Sequence, residues 1–188
     1  MRKKRSILCA GIIALTAIQC TKTEASDPFL IQQGQIGKLI KETTVAALDS
    51  VYASDSIVKR IGEGDYVYAN KDKYLIYEKG GKHLLTLTPA QQYDSTEIIT
   101  NIRIIDPRFK TDKGLHVNST FKAIKEQYTI SKINTTFNNI LVFVDEIDAY
   151  FTIDKKELPQ ALQQLNTPIK AEQIPDTAKI KYFMIGWE

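Results

Sequence analysis

Apolar residues recur at helical spacing in two short stretches of the chain. Val45, Leu48 and Tyr52 fall at i, i+3 and i+7, and so do Phe121, Ile124 and Tyr128, which predicts two helices of about ten residues. A hydroxyl pair precedes each, Thr43-Thr44 and Ser119-Thr120, placed to accept hydrogen bonds from the free N–H groups of a first turn. Neither stretch carries the Glu or Gln that completes a capping box. Helices this short are marginal alone, so they are expected to dock on a sheet. Ile36–Ile40 and Gly114–Val117 read as short extended segments leading into them.

Elsewhere the period is two. Strands are expected at 57–61, 65–69, 73–79, 82–88 and 97–105, then at 130–137, 140–144, 148–153 and 178–185. Gly62-Glu63-Gly64 and Asn138-Asn139 mark turns, and Gly80-Gly81 suits the positive φ of a type I′ hairpin. Leu158, Ala161, Leu162 and Leu165 restore helical spacing around Pro159. Val67 and Ala69 alternate with Tyr66 and Tyr68, and Tyr74 and Ile76 with Leu75 and Tyr77. Such alternation implies antiparallel sheet with one covered face. The fold class is therefore α+β, an antiparallel sheet with helices on one face.

The chain also resembles itself. A shift of 76 residues aligns Leu39 with Leu115, Thr44 with Thr120, Ala47 with Ala123 and Tyr52 with Tyr128. It continues through Ile57/Ile133, Asp72/Asp148, Tyr74/Tyr150, Lys79/Lys155, Ile98/Ile174 and Ile104/Ile180. Two tandem, structurally similar units follow, about 36–110 and 112–188, inside a single domain over 29–188. They diverge at 80–96 and 156–172, where the helical stretch replaces the Gly-Gly arm, and partner recognition is expected there. Helix-then-meander units in tandem on an exported chain resemble the β-lactamase-inhibitor protein and the small outer-membrane lipoprotein (SmpA/OmlA-like) architecture. The segment from Gly114 to Tyr128, GLHVNSTFKAIKEQY, is also similar to uncharacterised lipoproteins of Bacteroidota. The resemblance implies a binding or assembly role and assigns no individual site residue.

Charge matters chiefly through where it sits. The formal net charge is +3, but Arg2, Lys3, Lys4 and Arg5 supply four positive charges and leave the remainder at −1. A nearly neutral body argues against nucleic acid as a partner. The apolar run from Ile7 to Ile18 that follows the basic cluster is twelve residues long. As helix it would rise about 18 Å, short of a hydrocarbon core of roughly 30 Å. It reads as an export signal over 1–19. Ala17-Ile18-Gln19-Cys20 then resembles the lipobox of bacterial lipoproteins, departing from it at Ala17 and Gln19. That resemblance implies lipidation at Cys20, a tether over 20–28 and an outer-membrane address in the cell envelope. Cleavage after Ala25, with Thr23 and Ala25 as the small residues, is the alternative and would give a soluble periplasmic or secreted protein. Of the two cysteines, Cys9 lies inside the removable run. The exported chain therefore holds one thiol and no internal disulfide.

Recognisable chemistry is sparse. The exported chain has no Cys beyond Cys20 to serve as nucleophile or thiolate ligand, and the only histidines are His83 and His116. No G-x-S-x-G, G-x-G-x-x-G or P-loop occurs. Asp145-Glu146-Ile147-Asp148, with Asp154 nearby, lacks the spacing and glycine of an EF-hand and reads as a polar turn. Asp49-Ser50-Val51, Asp55-Ser56-Ile57, Asp94-Ser95-Thr96 and Asp176-Thr177-Ala178 resemble the Asp-Ser/Thr-apolar O-glycosylation signal of exported Bacteroidota proteins; turn and cap chemistry is the plainer reading. Nine tyrosines stand against one tryptophan, and Tyr66, Tyr68 and Tyr74 form the candidate binding surface. Lys71, Lys73, Lys79 and Lys82 around them protect sheet edges. The expectation is a non-catalytic, lipid-anchored envelope protein that binds or assembles an unknown envelope protein. It needs no cofactor and meets the membrane only through its lipid. A small-ligand or glycan-binding lipoprotein is the alternative, and an envelope hydrolase the weaker one.

Overall fold

The computed structural model describes residues 27–60, 72–164 and 167–187. In chain order the strands are β1 (Leu30–Gln32), β2 (Gln35–Ile36) and β3 (Leu39–Ile40), followed by helix α1 (Leu48–Val51). Next come β4 (Ser56–Arg60), β5 (Lys73–Tyr77), β6 (His83–Pro89), β7 (Ile99–Ile104) and β8 (Lys110–Thr111). Then follow α2 (Phe121–Gln127), β9 (Lys132–Thr135), β10 (Asn139–Val144), β11 (Ala149–Asp154), α3 (Gln160–Gln163) and β12 (Ile180–Gly186). Among the described residues two sheets form. The larger has eight strands in the order β4-β5-β6-β7-β12-β11-β10-β9, every neighbour antiparallel. The smaller is β3-β2-β1-β8, with β1 and β8 parallel. The chain is thus α+β, with a dominant antiparallel sheet and helices in a minor role.

Strand register separates two faces. One ladder row crosses all eight strands as Ile57, Ile76, Leu85, Ile104, Phe183, Phe151, Val142 and Ile133. All eight are apolar, and all pack into one cluster with Leu48, Phe121 and Ile124 from the helices and Ile31, Ile36 and Leu39 from the small sheet. Helices α1 and α2 and the small sheet therefore cover this inner face. Burying a side chain of this size contributes about 1.5–3 kcal/mol, so the shared cluster holds the three layers together.

The helices are shorter than the sequence pattern predicts. Val45–Ala47 is a 3-10 turn that runs into the four residues of α1, and α2 has seven residues. Turn-forming Ser54 and Asp55 stop the first, and β-branched Thr129 and Ile130 stop the second. Thr44 and Thr120 do hold the N-cap positions, but neither hydroxyl caps. The free N–H groups are taken by main-chain carbonyls instead. Val45 and Ala46 donate to Glu97 and Ser95 at 2.9 and 2.8 Å, and Phe121 and Lys122 donate to Ala178 and Asp176 at 2.9 and 3.1 Å. Ile99 N–H likewise donates to the Thr43 carbonyl and Ile180 N–H to the Ser119 carbonyl.

Beyond the helices the 76-residue shift loses register. Tyr74 sits on β5 in a ladder row with Lys59 and Leu87, facing inward, whereas Tyr150 on β11 pairs Phe143 and Met184 and faces outward. The helical insertion does not replace the Gly-Gly arm either. Gly80 and Gly81, both at positive φ, turn β5 into β6, while α3 lies between β11 and β12. Alternation along β5 is also imperfect, because Tyr74, Leu75 and Ile76 are all buried. The expected strand at 65–69 lies outside the described residues.

One polar network fixes a corner of the fold. Asp106, with its side chain fully buried, accepts from Arg108 N–H at 2.9 Å, from Arg108 Nε and Nη2 at 3.1 and 2.8 Å, and pairs with Lys82 Nζ at 3.0 Å. Arg108 also holds Glu78 bidentately at 2.9 Å and lies 4.3 Å over the Phe29 ring. Burial alone would raise the Asp106 carboxyl, but the hydrogen bonds from Arg108 and Lys82 outweigh it and bring the pKa from 3.8 to about 2. A depressed carboxyl contributes stability above its unfolded value and loses it as pH falls through the folded one. Denaturant midpoints measured from pH 5 downward should therefore fall as pH drops from 3.8 toward about 2. The fall should be shallower in Asp106→Asn. An equal acid loss in that variant would remove Asp106 as its source.

Candidate functional site

The other face of the large sheet is built from the residues between the inner ones. Its central ladder row runs Val58, Leu75, Thr86, Arg103, Met184, Tyr150, Phe143 and Lys132, one residue from each strand. A face turned wholly to water would alternate polar residues here. Instead Met184, Tyr150 and Phe143 stand half-buried, and Leu75 is buried without belonging to the apolar cluster of the inner face.

Its side chains are held in fixed geometry. Phe143 and Tyr150 stack with centroids 5.7 Å apart at 26°, and Asn101 Nδ2 donates to Tyr150 Oη at 2.8 Å. Next to them the Arg103 guanidinium lies 4.0 Å over the Tyr182 ring, a cation–π contact that leaves its N–H edge available. On the far side Tyr77 and His83 stack at 4.7 Å and 23°. His83 Nε2 lies 3.1 Å from the Leu85 carbonyl, which can only accept, so Nε2 carries the proton; Thr86 Oγ1 is also 3.1 Å away. Burial, and then the positive charges of Arg103 and Arg60, hold His83 below its ordinary pKa. A neutral imidazole at pH 7 therefore adds aromatic surface to the face and no charge.

Clefts adjoin the sheet. At one end, a space of about 630 Å³ is lined by Asn101, Phe143, Tyr150, Asp145, Asp148 and Lys41, among others. Asp145-Glu146-Ile147 form a 3-10 turn there, and Asp148 closes it at φ 51°. The second cleft, about 430 Å³, lies on the inner side beside α1 and includes Tyr74, Lys59 and Tyr93. Tyr93 is held at φ 60° while its N–H donates to the buried Asp72 at 3.2 Å. Both volumes fall within the usual range of small-molecule sites. Among the described residues no group of three or more His, Cys, Asp or Glu is placed to hold a metal ion.

Of the sequence-based site residues the structure describes Tyr74. Tyr74 is only 8% exposed, faces the inner side and carries Lys59 Nζ 5.5 Å from its ring centroid. Tyr66, Tyr68 and Cys20 lie outside the described residues. The segment 80–96 contains β6, an interior strand with neighbours on both sides, so it is part of the frame and not a removable arm. The segment 156–172 packs Leu158, Leu162 and Ile169 against the core. Sequence reading missed Arg103, Phe143, Tyr150, Tyr182 and Met184. The available signal was the alternate position in strands already recognised: Tyr182 and Met184 fill places where a solvent face would carry Lys, Ser or Thr.

No family model and no curated protein matches the sequence. Among solved structures the chain is similar to the uncharacterized protein yfeY from Escherichia coli, with a TM-score of 0.51 and 12% sequence identity. The match covers 84% of this chain and 97% of that one. At that identity the likeness is one of fold alone.

Proposed function

We propose that this chain is an exported envelope protein, lipid-anchored through Cys20, that acts as a non-catalytic protein-docking module through the outer face of its eight-stranded sheet. The observation that carries this reading is the outer ladder row, with Met184, Tyr150, Phe143 and Arg103 half-buried at its centre. Aromatic residues, Met and Arg are the types enriched in interface cores, and Tyr and Arg are frequent binding hot spots. Side chains already fixed by stacking and hydrogen bonds lose little entropy when a partner covers them. The basic cluster, the apolar run and Cys20 support export and anchoring. The recurrence of the same helix-to-loop hydrogen bonds supports descent from two copies of one unit, which sets the last strands, β7 and β12, side by side at the centre of the face. A small polar ligand is the second reading, favoured by the carboxylates, Asn101 and paired rings of the end cleft.

Two substitutions test the proposal together. Cys20→Ala should release the protein from the membrane fraction; an Ala variant that still fractionates with membranes would refute lipidation. Met184→Asp should leave anchoring intact but return the detergent-extracted protein from a larger complex to the size of the free chain. A complex indifferent to Met184→Asp would refute docking on this face.

A further inference from the structure

We infer that the partner docked on the outer face is an acidic polypeptide surface. This rests on the docking reading above and adds the chemistry of the partner. Among the described outer-face strand positions the cations are Arg60, Lys73, Arg103, Lys132 and, at the β12 bulge, Lys181; the one carboxylate is Asp154. That carboxylate is already taken, with Lys181 Nζ 3.0 Å from its Oδ2. Arg103 is stacked on Tyr182 and has no carboxylate partner among the described residues. Arg60 and Lys73 stand directly opposite each other on β4 and β5, a like-charge pair that is unfavourable in the free protein. An arrangement that costs stability alone gains it when carboxylates arrive between the cations.

Spacing decides the size of the partner. The cations reach from β4 at one edge through β7 at the centre to β9 at the other. With neighbouring strands about 4.8 Å apart, the span is roughly 34 Å. A small anion would bridge at most the Arg60–Lys73 pair and leave the other cations unmet. Leu75, Met184, Tyr150 and Phe143 lie between them. A polyanion without apolar groups would leave those side chains unfilled, whereas an acidic protein surface presents carboxylates and apolar side chains together. The chain body outside Arg2–Arg5 is nearly neutral, so it lacks the general positive field that draws nucleic acid.

The test uses the detergent-extracted full chain and three fluorescent probes: a short peptide alternating Glu and Tyr, its Lys and Tyr counterpart, and a single-stranded oligonucleotide. Anisotropy should show binding of the Glu-Tyr peptide that weakens with salt. Arg103→Glu and Lys132→Glu should each weaken it about tenfold, while Arg103→Lys retains most of it. Circular dichroism identifies any variant that fails to fold, and the other charge reversal then decides. Equal binding of the Lys-Tyr peptide, tighter binding of the oligonucleotide, or indifference to both charge reversals would overturn the inference. If Met184→Asp still dissolves the native complex while charge reversal does not, docking stands and the acidic partner falls. If neither affects the complex, the docking reading falls and takes this inference with it.

Discussion

Phe183→Ala is expected to lower the unfolding free energy by about 3–5 kcal/mol, the usual cost of emptying a buried phenylalanine site. Phe183 is fully buried and sits on β12 between Ile104 of β7 and Phe151 of β11. Its ring centroid lies 4.7 Å from that of Phe151. Among the described residues no other pairing than β7 with β12 joins the meander β4–β7 to the meander β9–β12 in the large sheet. A cavity there removes contacts on both sides of the seam, and the sheet cannot relax into it without moving a strand. Urea denaturation followed by circular dichroism reads the loss directly. A change under about 1 kcal/mol would mean that the seam is not where the two halves are held.

The second large effect separates neighbours in sequence. Ile104→Asp should abolish folding at 37 °C, whereas Arg103→Glu should shift stability by no more than about 2 kcal/mol. Ile104 is 1% exposed in the all-apolar inner row, where a carboxylate would find no partner and no water. Arg103 is one residue away on the opposite face. It loses only a half-buried cation–π contact, a contribution of about 0.5–2 kcal/mol. Soluble yield and the thermal midpoint of the two variants decide it. Similar behaviour of both would mean that the faces are not distinguished in the way the register requires.

Much of this architecture was legible in the chain, for identifiable reasons. Strands β6, β7, β10, β11 and β12 matched their expected positions closely, because apolar residues recur at alternate positions along most of their length and their turns carry Gly, Asn or Asp. Leu48 and Ile124 are both buried, as helical spacing required. The small sheet was harder to see, since two-residue strands such as β2 and β3 leave no period to detect. The hydroxyl caps failed for a tertiary reason: carbonyls roughly 50 residues away in sequence reach the helix amides first. The candidate site was the least legible part. Tyr74 and Tyr150 align in sequence yet face opposite sides, because the connections between strands differ in length in the two halves. Which tyrosine faces outward depends on register, and register is set by pairing across the sheet.

The most direct measurement of the central claim is site-specific photo-crosslinking in intact cells. A photoreactive side chain is placed at Met184 on the outer face or, for comparison, at exposed Lys122 on α2. A discrete protein adduct is expected from position 184 and little or none from position 122. An adduct from Lys122 alone, or none from Met184 in cells where the protein is anchored, would contradict the claim.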